Sequence, residues 1–243
     1  MQTGLTIAAC LGPKFDASVM EKVQKNDEVE SSFLKSAVEY GFLQSLGSKR
    51  FLWAHDQIQQ AAYDLIPLRK RDSFHLLVGS RLFMQTAPSD MDRNIFYIVD
   101  NMNRGAHLCV ESEQKYELAQ LNLDAGEQAL SSSAFHSATK YLVKGLSLLG
   151  PDTWEVKYNL TIKLYDAGAD RHLCIEFARF VFVRPHHSTC APSPQFATAS
   201  EALFVTGEFT KLSTLAEEPL AKAHSFEDKL NCLNSLVRAS AGK

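Results

Sequence analysis

Phe51-Leu-Trp-Ala-His-Asp-Gln-Ile-Gln-Gln-Ala-Ala-Tyr-Asp-Leu-Ile-Pro67 is the stretch whose reading decides the fold. Its opening, Phe51 to Ala54, is aromatic and apolar and too short for a helix, which predicts a strand. Asp56 has the chemistry of an N-cap, and Gln59 stands three residues on as the reciprocal partner of a capping box. Ile58, Ala61, Ala62 and Leu65 follow at helical spacing on the expected apolar face, and Pro67 ends the run.

Working back from this stretch, Leu46-Gly-Ser-Lys-Arg50 predicts a turn. Before it, Ser31 or Ser32 opens a helix with Phe33, Leu34, Ala37 and Val38 on one side and Gly41 as its stop. Charged residues 25–30 read as a solvated loop, and Asp16 is placed to cap a helix carrying Val19, Met20 and Val23. Residues 5–11 form a first apolar helix that Gly12-Pro13 breaks. Forward of Pro67, Arg69-Lys-Arg71 reads as a solvated helix start, with His75, Leu76, Leu77, Leu82 and Phe83 on the helix that follows. Thr86-Ala-Pro-Ser-Asp90 is the boundary loop, and from Asn94 the chain is expected to be helical for a long way.

The organising stretch resembles the Phe-x-His-Asp-x-Ile/Val-Gln-Gln-Ala-Ala-Tyr-x-Leu-Ile-Pro segment of large signalling proteins. These join a serine/threonine kinase domain, an AAA/STAND-type ATPase domain and often GAF and histidine-kinase domains. The resemblance covers most of residues 5–169 and again 201–230. It implies a mainly α fold: a winged-helix-like module over residues 1–88, then a TPR-like helical segment over 92–169 that resumes over 201–243. It also implies a piece of the region between an ATPase and downstream domains, a fragment lacking the ATPase and the kinase.

The helical segment has its own pattern. With Ala125-Gly126 on paired small positions, Ala129 falls three residues later, Phe135 and Ala138 open a second helix, and Leu142, Gly145 and Leu148 follow. Small residues there let two antiparallel helices approach closely. A second unit starts near Trp154 with Tyr158, Leu160, Leu164 and Tyr165 and reaches Gly168-Ala169. Its continuation comes only at Glu201, where Gly207 and Phe209 match Ser133 and Phe135. Gly207 lies 74 residues beyond Ser133, and 43 once the 31 residues Asp170–Ser200 are set aside, close to a helical-repeat period. That irregular insert holds His172, His186, His187, Cys174 and Cys190 and is expected to be an unspliced intron or another gene-prediction error, with a genuine surface insertion as the alternative, since long loops cost little loop-closure free energy. A zinc site needs short paired ligand spacings, and His-x-Cys with His-His-x-x-Cys does not match a common one, so no metal ligands are assigned.

Composition is ordinary for a soluble globular protein. The 243 residues are 45% hydrophobic and 22% charged with net charge -3, which gives no basic field for nucleic acid. Five scattered cysteines (Cys10, Cys109, Cys174, Cys190, Cys232) form no framework and fit a reducing, cytoplasmic setting. No run of 18 apolar residues predicts a membrane span. Ile7-Ala8-Ala9-Cys10 has the look of a lipoprotein cleavage site but lacks a basic leader, and Asn159-Leu-Thr161 is a sequon without a secretion signal.

Motifs of catalysis are missing from the sequence. There is no Gly-x-x-x-x-Gly-Lys-Ser/Thr phosphate loop, no His-Arg-Asp or Asp-Phe-Gly, no Gly-x-Ser-x-Gly and no His-Glu-x-x-His. The expectation is a non-enzyme with no catalytic, cofactor-binding or metal residues and no cofactor. Its partners would be proteins or neighbouring domains of a multidomain kinase, not nucleic acid, membrane or a small-molecule substrate. Two alternatives stay open. One is a winged-helix DNA-binding regulator, although the third helix offers only Lys35 as a basic side chain. The other is a metal-dependent HD-type phosphohydrolase built on His55 and Asp56, which would need further ligands.

Overall fold

Arg50–Trp53 is a strand, β3, and it is the middle strand of a small antiparallel sheet in the order β1-β3-β2. Its neighbours are β1 (Lys14–Asp16), with Phe15 opposite Phe51, and β2 (Leu43–Ser45), with Leu43 opposite Trp53. The computed structural model describes residues 2–24, 27–47, 49–150 and 153–168. Within them the chain is mainly helical, and it divides into two compact units, the first ending at Glu111 and the second beginning at Ser112.

In the first unit, α1 (Gln2–Cys10) precedes β1, α2 (Ala17–Gln24) and α3 (Asp27–Glu39) separate it from β2, and α4 (Asp56–Asp64) follows β3. Two corrections fall here. Neither β1 nor β2 is expected from the sequence, because strands of three residues are too short to show a period of two. The charged stretch read as a loop over 25–30 becomes helix from Asp27, so α3 begins upstream of Ser31.

The α3 end is as expected. Gly41 takes φ 72°, its N–H donates to Val38 O at 2.9 Å, and the Phe42 N–H donates to Ala37 O at 2.9 Å. This double bond is the Schellman stop, in which a left-handed residue satisfies the last carbonyls. The Leu46–Arg50 turn also forms, closed by Leu46 N–H to Arg50 O at 2.9 Å.

The core of the unit is apolar burial from every element: Ile7, Ala8, Phe15, Val19, Met20, Val23, Ala37, Leu43 and Trp53 are all buried. Each large side chain contributes about 1.5–3 kcal/mol, so this core holds the short strands more than their ladder does. Helices α5 (Arg71–Gln85) and α6 (Met91–Arg104) complete it. They meet closely at Gly79, where an added Cβ would lie 2.8 Å from Met102 N and 3.0 Å from Ile98 O. The 86–90 loop, read from sequence as a boundary, carries a short 3-10 turn at Pro88–Asp90 and joins these two packed helices.

In the second unit, α7 (Ser112–Ser131) and α8 (Phe135–Leu148) form an antiparallel pair, turning at Ser133 with φ 57°. The expected small-residue register is the buried seam: Ala125, Gly126, Ala129, Ala138, Leu142 and Gly145 are all buried. A Cβ on Gly126 would meet Leu142 at 2.6 Å, and one on Gly145 would meet Leu164 at 2.8 Å. A short helix α9 (Thr153–Val156) leads into α10 (Tyr158–Gly168), whose Leu160 and Leu164 are buried. The insert 170–200 and the continuation 201–243 lie outside the described residues.

Candidate functional site

Asn94 and Asn101 stand seven residues apart on α6, on the same buried face as Ile95, Ile98 and Met102. A polar side chain on such a face must find a partner or lose its hydrogen bonds. Asn101 finds His75 of α5, which is 2% exposed: Nδ1 of the ring lies 2.7 Å from Asn101 Oδ1. The other ring nitrogen, Nε2, is 3.0 Å from the Tyr63 hydroxyl, 3.4 Å from Arg104 Nη1 and 3.8 Å from Cys10 Sγ. Four helices, α1, α4, α5 and α6, therefore meet at one imidazole. The rim is charged. Arg71 lies 4.6 Å over the Tyr63 ring and pairs with Asp64 at 2.7 Å, while His107 lies 3.4 Å from Asp72.

Cysteine, histidine and asparagine in a row resemble the parts of a thiol nucleophile, but the environment works against one. Burial pushes the Cys10 thiol up to about 12, with Arg104 pulling the other way, and only the thiolate attacks. Cys10 also ends α1, where the helix dipole is negative and disfavours an anion. His75 moves down from its ordinary value, first through burial, against a hydrogen bond to Asn101 that raises it, and with Arg104 lowering it further. A half-buried thiol and a buried neutral imidazole make a polar junction.

The second unit carries a groove of ≈ 710 Å³ between the start of α7 and the α9–α10 corner. Glu113, Tyr116, Glu117 and Gln120 line it from one face of α7, being three, four and seven residues apart. Glu155, Lys157, Tyr158 and Asn159 face them. Lys157 Nζ lies 3.2 Å from Glu113 Oε2 and 5.2 Å from the Tyr116 ring centroid, so its charge is already matched. Glu117 and Glu155 remain as exposed carboxylates on opposite walls.

The residues weighed from the sequence do not converge. His55, not Asp56, is the α4 N-cap: its Nδ1 accepts from Gln57 N–H at 3.2 Å with φ -155° and ψ 145°. Asp56 is the first helical residue, and Gln59 donates its side-chain amide to Ala9 O at 3.4 Å instead of closing a capping box. The apolar face is also shifted, with Ala62 and Ile66 buried and Ala61 and Leu65 exposed. Among the described residues no group of three or more His, Cys, Asp or Glu side chains could hold a metal, and His172, Cys174, His186, His187 and Cys190 lie outside them. Lys35 is exposed on α3 beside buried Phe33, Leu34 and Ala37, so this helix packs with its apolar side. No helix among the described residues is long and apolar enough to cross a membrane.

The groove and the His75 junction escaped sequence reasoning for different reasons. Asn101 in an apolar stripe was a usable signal for the junction. The groove has no linear signal, because its walls come from residues about forty positions apart.

A segment of the chain is 29% identical over 140 residues to hybrid signal transduction histidine kinase G of Dictyostelium discoideum. The match covers 48% of this chain and 4% of that protein, so the chain spans only a small part of the relative's length. No family model matches the sequence. No solved structure matches it.

Proposed function

We propose that this chain is a non-catalytic regulatory and protein-interaction region of a cytoplasmic signal-transduction protein, docking a basic protein segment in the groove of its second unit. The observation that carries the reading is the groove itself: carboxylates on both walls, two tyrosines and side-chain amides, with its lysine paired across the gap. Carboxylates suit Arg or Lys side chains, tyrosine rings suit their stems and cations, and amides suit a peptide backbone. The similarity to a signalling histidine kinase supports the signalling context.

The finer architecture belongs to the same reading. A winged-helix-like first unit is supported by the order α1-β1-α2-α3-β2-β3, with a hairpin after the third helix and β1 beside β3. TPR-like hairpins in the second unit are supported by the small residues in the α7–α8 seam and by α10 packing on both helices. Stacked helix pairs of that kind present extended binding surfaces. By the resemblance to AAA/STAND-type kinases, the region couples an ATPase module to downstream domains.

An array of short basic, neutral and acidic peptides, probed with the full chain, tests the reading. The wild-type protein retains basic peptides selectively, and retention weakens as ionic strength rises. Glu117→Lys with Glu155→Lys abolishes or inverts that selectivity. Retention indifferent to peptide charge, or unchanged in the double variant, rejects the groove as the docking site.

A further inference from the structure

We infer that His75 is an acid-sensitive latch: a neutral imidazole that fastens α1 and α4 to the α5–α6 pair and lets go when a proton is added at Nε2. Asn101 fixes the tautomer. Its amide nitrogen donates to Tyr97 O at 2.8 Å, which turns Oδ1 toward His75 Nδ1 at 2.7 Å and requires the ring proton there. Nε2 is then a bare acceptor, and what faces it are donors from three other elements. Tyr63 of α4 donates its hydroxyl to the single lone pair there at 3.0 Å, and a guanidinium N–H of Arg104 of α6 at 3.4 Å and the thiol of Cys10 of α1 at 3.8 Å stand as longer, competing donors. Arg104 also donates to the Tyr63 oxygen at 3.4 Å, so hydroxyl and guanidinium form one chain ending on the imidazole.

Protonation at Nε2 reverses the junction. The acceptor becomes a donor, the Tyr63 and Cys10 hydrogens lose their target, and a second cation stands 3.4 Å from a guanidinium at a buried position. The other charged groups around the ring do not cancel this. On α5 itself Asp72 favours the proton, but its exposed carboxylate lies against His107 at 3.4 Å, while Arg71, paired with Asp64, opposes the proton. Burial and the two arginines hold His75 below its ordinary value of 6.5. The opened form therefore binds more protons than the closed one below about pH 6.5. The latch is complete above that pH and weakens as pH falls toward the ring's lowered value, its opening constant rising by at most about tenfold for each pH unit and levelling off once the closed form is itself protonated.

Imidazole nitrogen NMR on the full chain, titrated from about pH 8 to about pH 5 together with amide exchange in α1 and α4, tests the inference. His75 is expected in the Nδ1–H form near neutrality, protonating only below 6.5. Opening of α1 and α4, corrected for intrinsic exchange, is expected to rise as pH falls below that point, by at most about tenfold per pH unit, and to level off at the midpoint of the closed ring. His75→Gln, which cannot titrate, is expected to flatten this response. An Nε2–H tautomer, protonation at or above the ordinary value, or a pH response in His75→Gln equal to the wild type overturns the inference. If the variant does not fold, the tautomer and midpoint of the wild-type ring decide alone.

Discussion

Lys49 holds φ 71°, in the left-handed region, because the β2–β3 turn needs such a residue and its carbonyl accepts the Ala17 N–H at 2.8 Å. A side chain there costs about 1–2 kcal/mol that glycine does not incur. Part of this is offset by glycine's larger entropy loss on folding. Lys49→Gly is expected to stabilise the first unit by about 0.5–1 kcal/mol, read as a higher denaturant midpoint at unchanged slope; a lower midpoint would refute the strain. At the other end of the same hairpin, His55→Ala removes the α4 cap and is expected to cost about 0.5–1 kcal/mol. Gln59→Ala, whose residue closes no capping box, is expected to cost less, and the reverse order would restore the box. The sequence could not separate His55 from Asp56 as the cap. Both are polar at the strand–helix junction, and the extended ψ of His55 is decided by where β3 ends, which is a tertiary fact.

Among the elements, the α7–α8 pair was the most legible, since close helix approach demands small residues at fixed spacing and the sequence writes them as Ala125-Gly126, Ala138 and Gly145. Leu142→Ala in this seam is expected to cost about 2–5 kcal/mol. Gly126→Ala, which would drive a methyl into Leu142, is expected to cost about 1–3 kcal/mol. Thermal unfolding followed by circular dichroism measures both, and near-neutral effects would contradict the packing. The α5–α6 contact at Gly79 is tighter, because backbone atoms of Met102 and Ile98 form its wall and cannot rotate away. Strands β1 and β2 were illegible for the opposite reason. Three residues carry no readable alternation, and each strand exists because β3 lies between them.

At the scale of the whole molecule, a mainly helical chain was readable from periodicity, while the groove left no linear signal and the His75 junction only Asn101 in an apolar stripe, because each site is assembled from distant positions. His75 and Asn101 are 26 residues apart, and the walls of the groove are further separated still. Glu113 and Lys157 show how the groove is held, an ion pair 44 positions apart whose partners are 77% and 36% exposed at the side chain. At that exposure the pair itself adds about 0–1 kcal/mol, so Lys157→Ala is expected to leave stability nearly unchanged while raising affinity for cationic peptides, because it frees Glu113. A loss of affinity in that variant would place the lysine among the binding groups. The central claim is that the groove of the second unit docks a basic segment. Backbone amide shift mapping of the full chain with an Arg/Lys-rich peptide tests it most directly. The account predicts saturable shifts confined to residues 113–120 and 155–160, absent when Glu117 and Glu155 are both lysine; shifts scattered over the surface, or centred on Lys35 and Lys49, would contradict it.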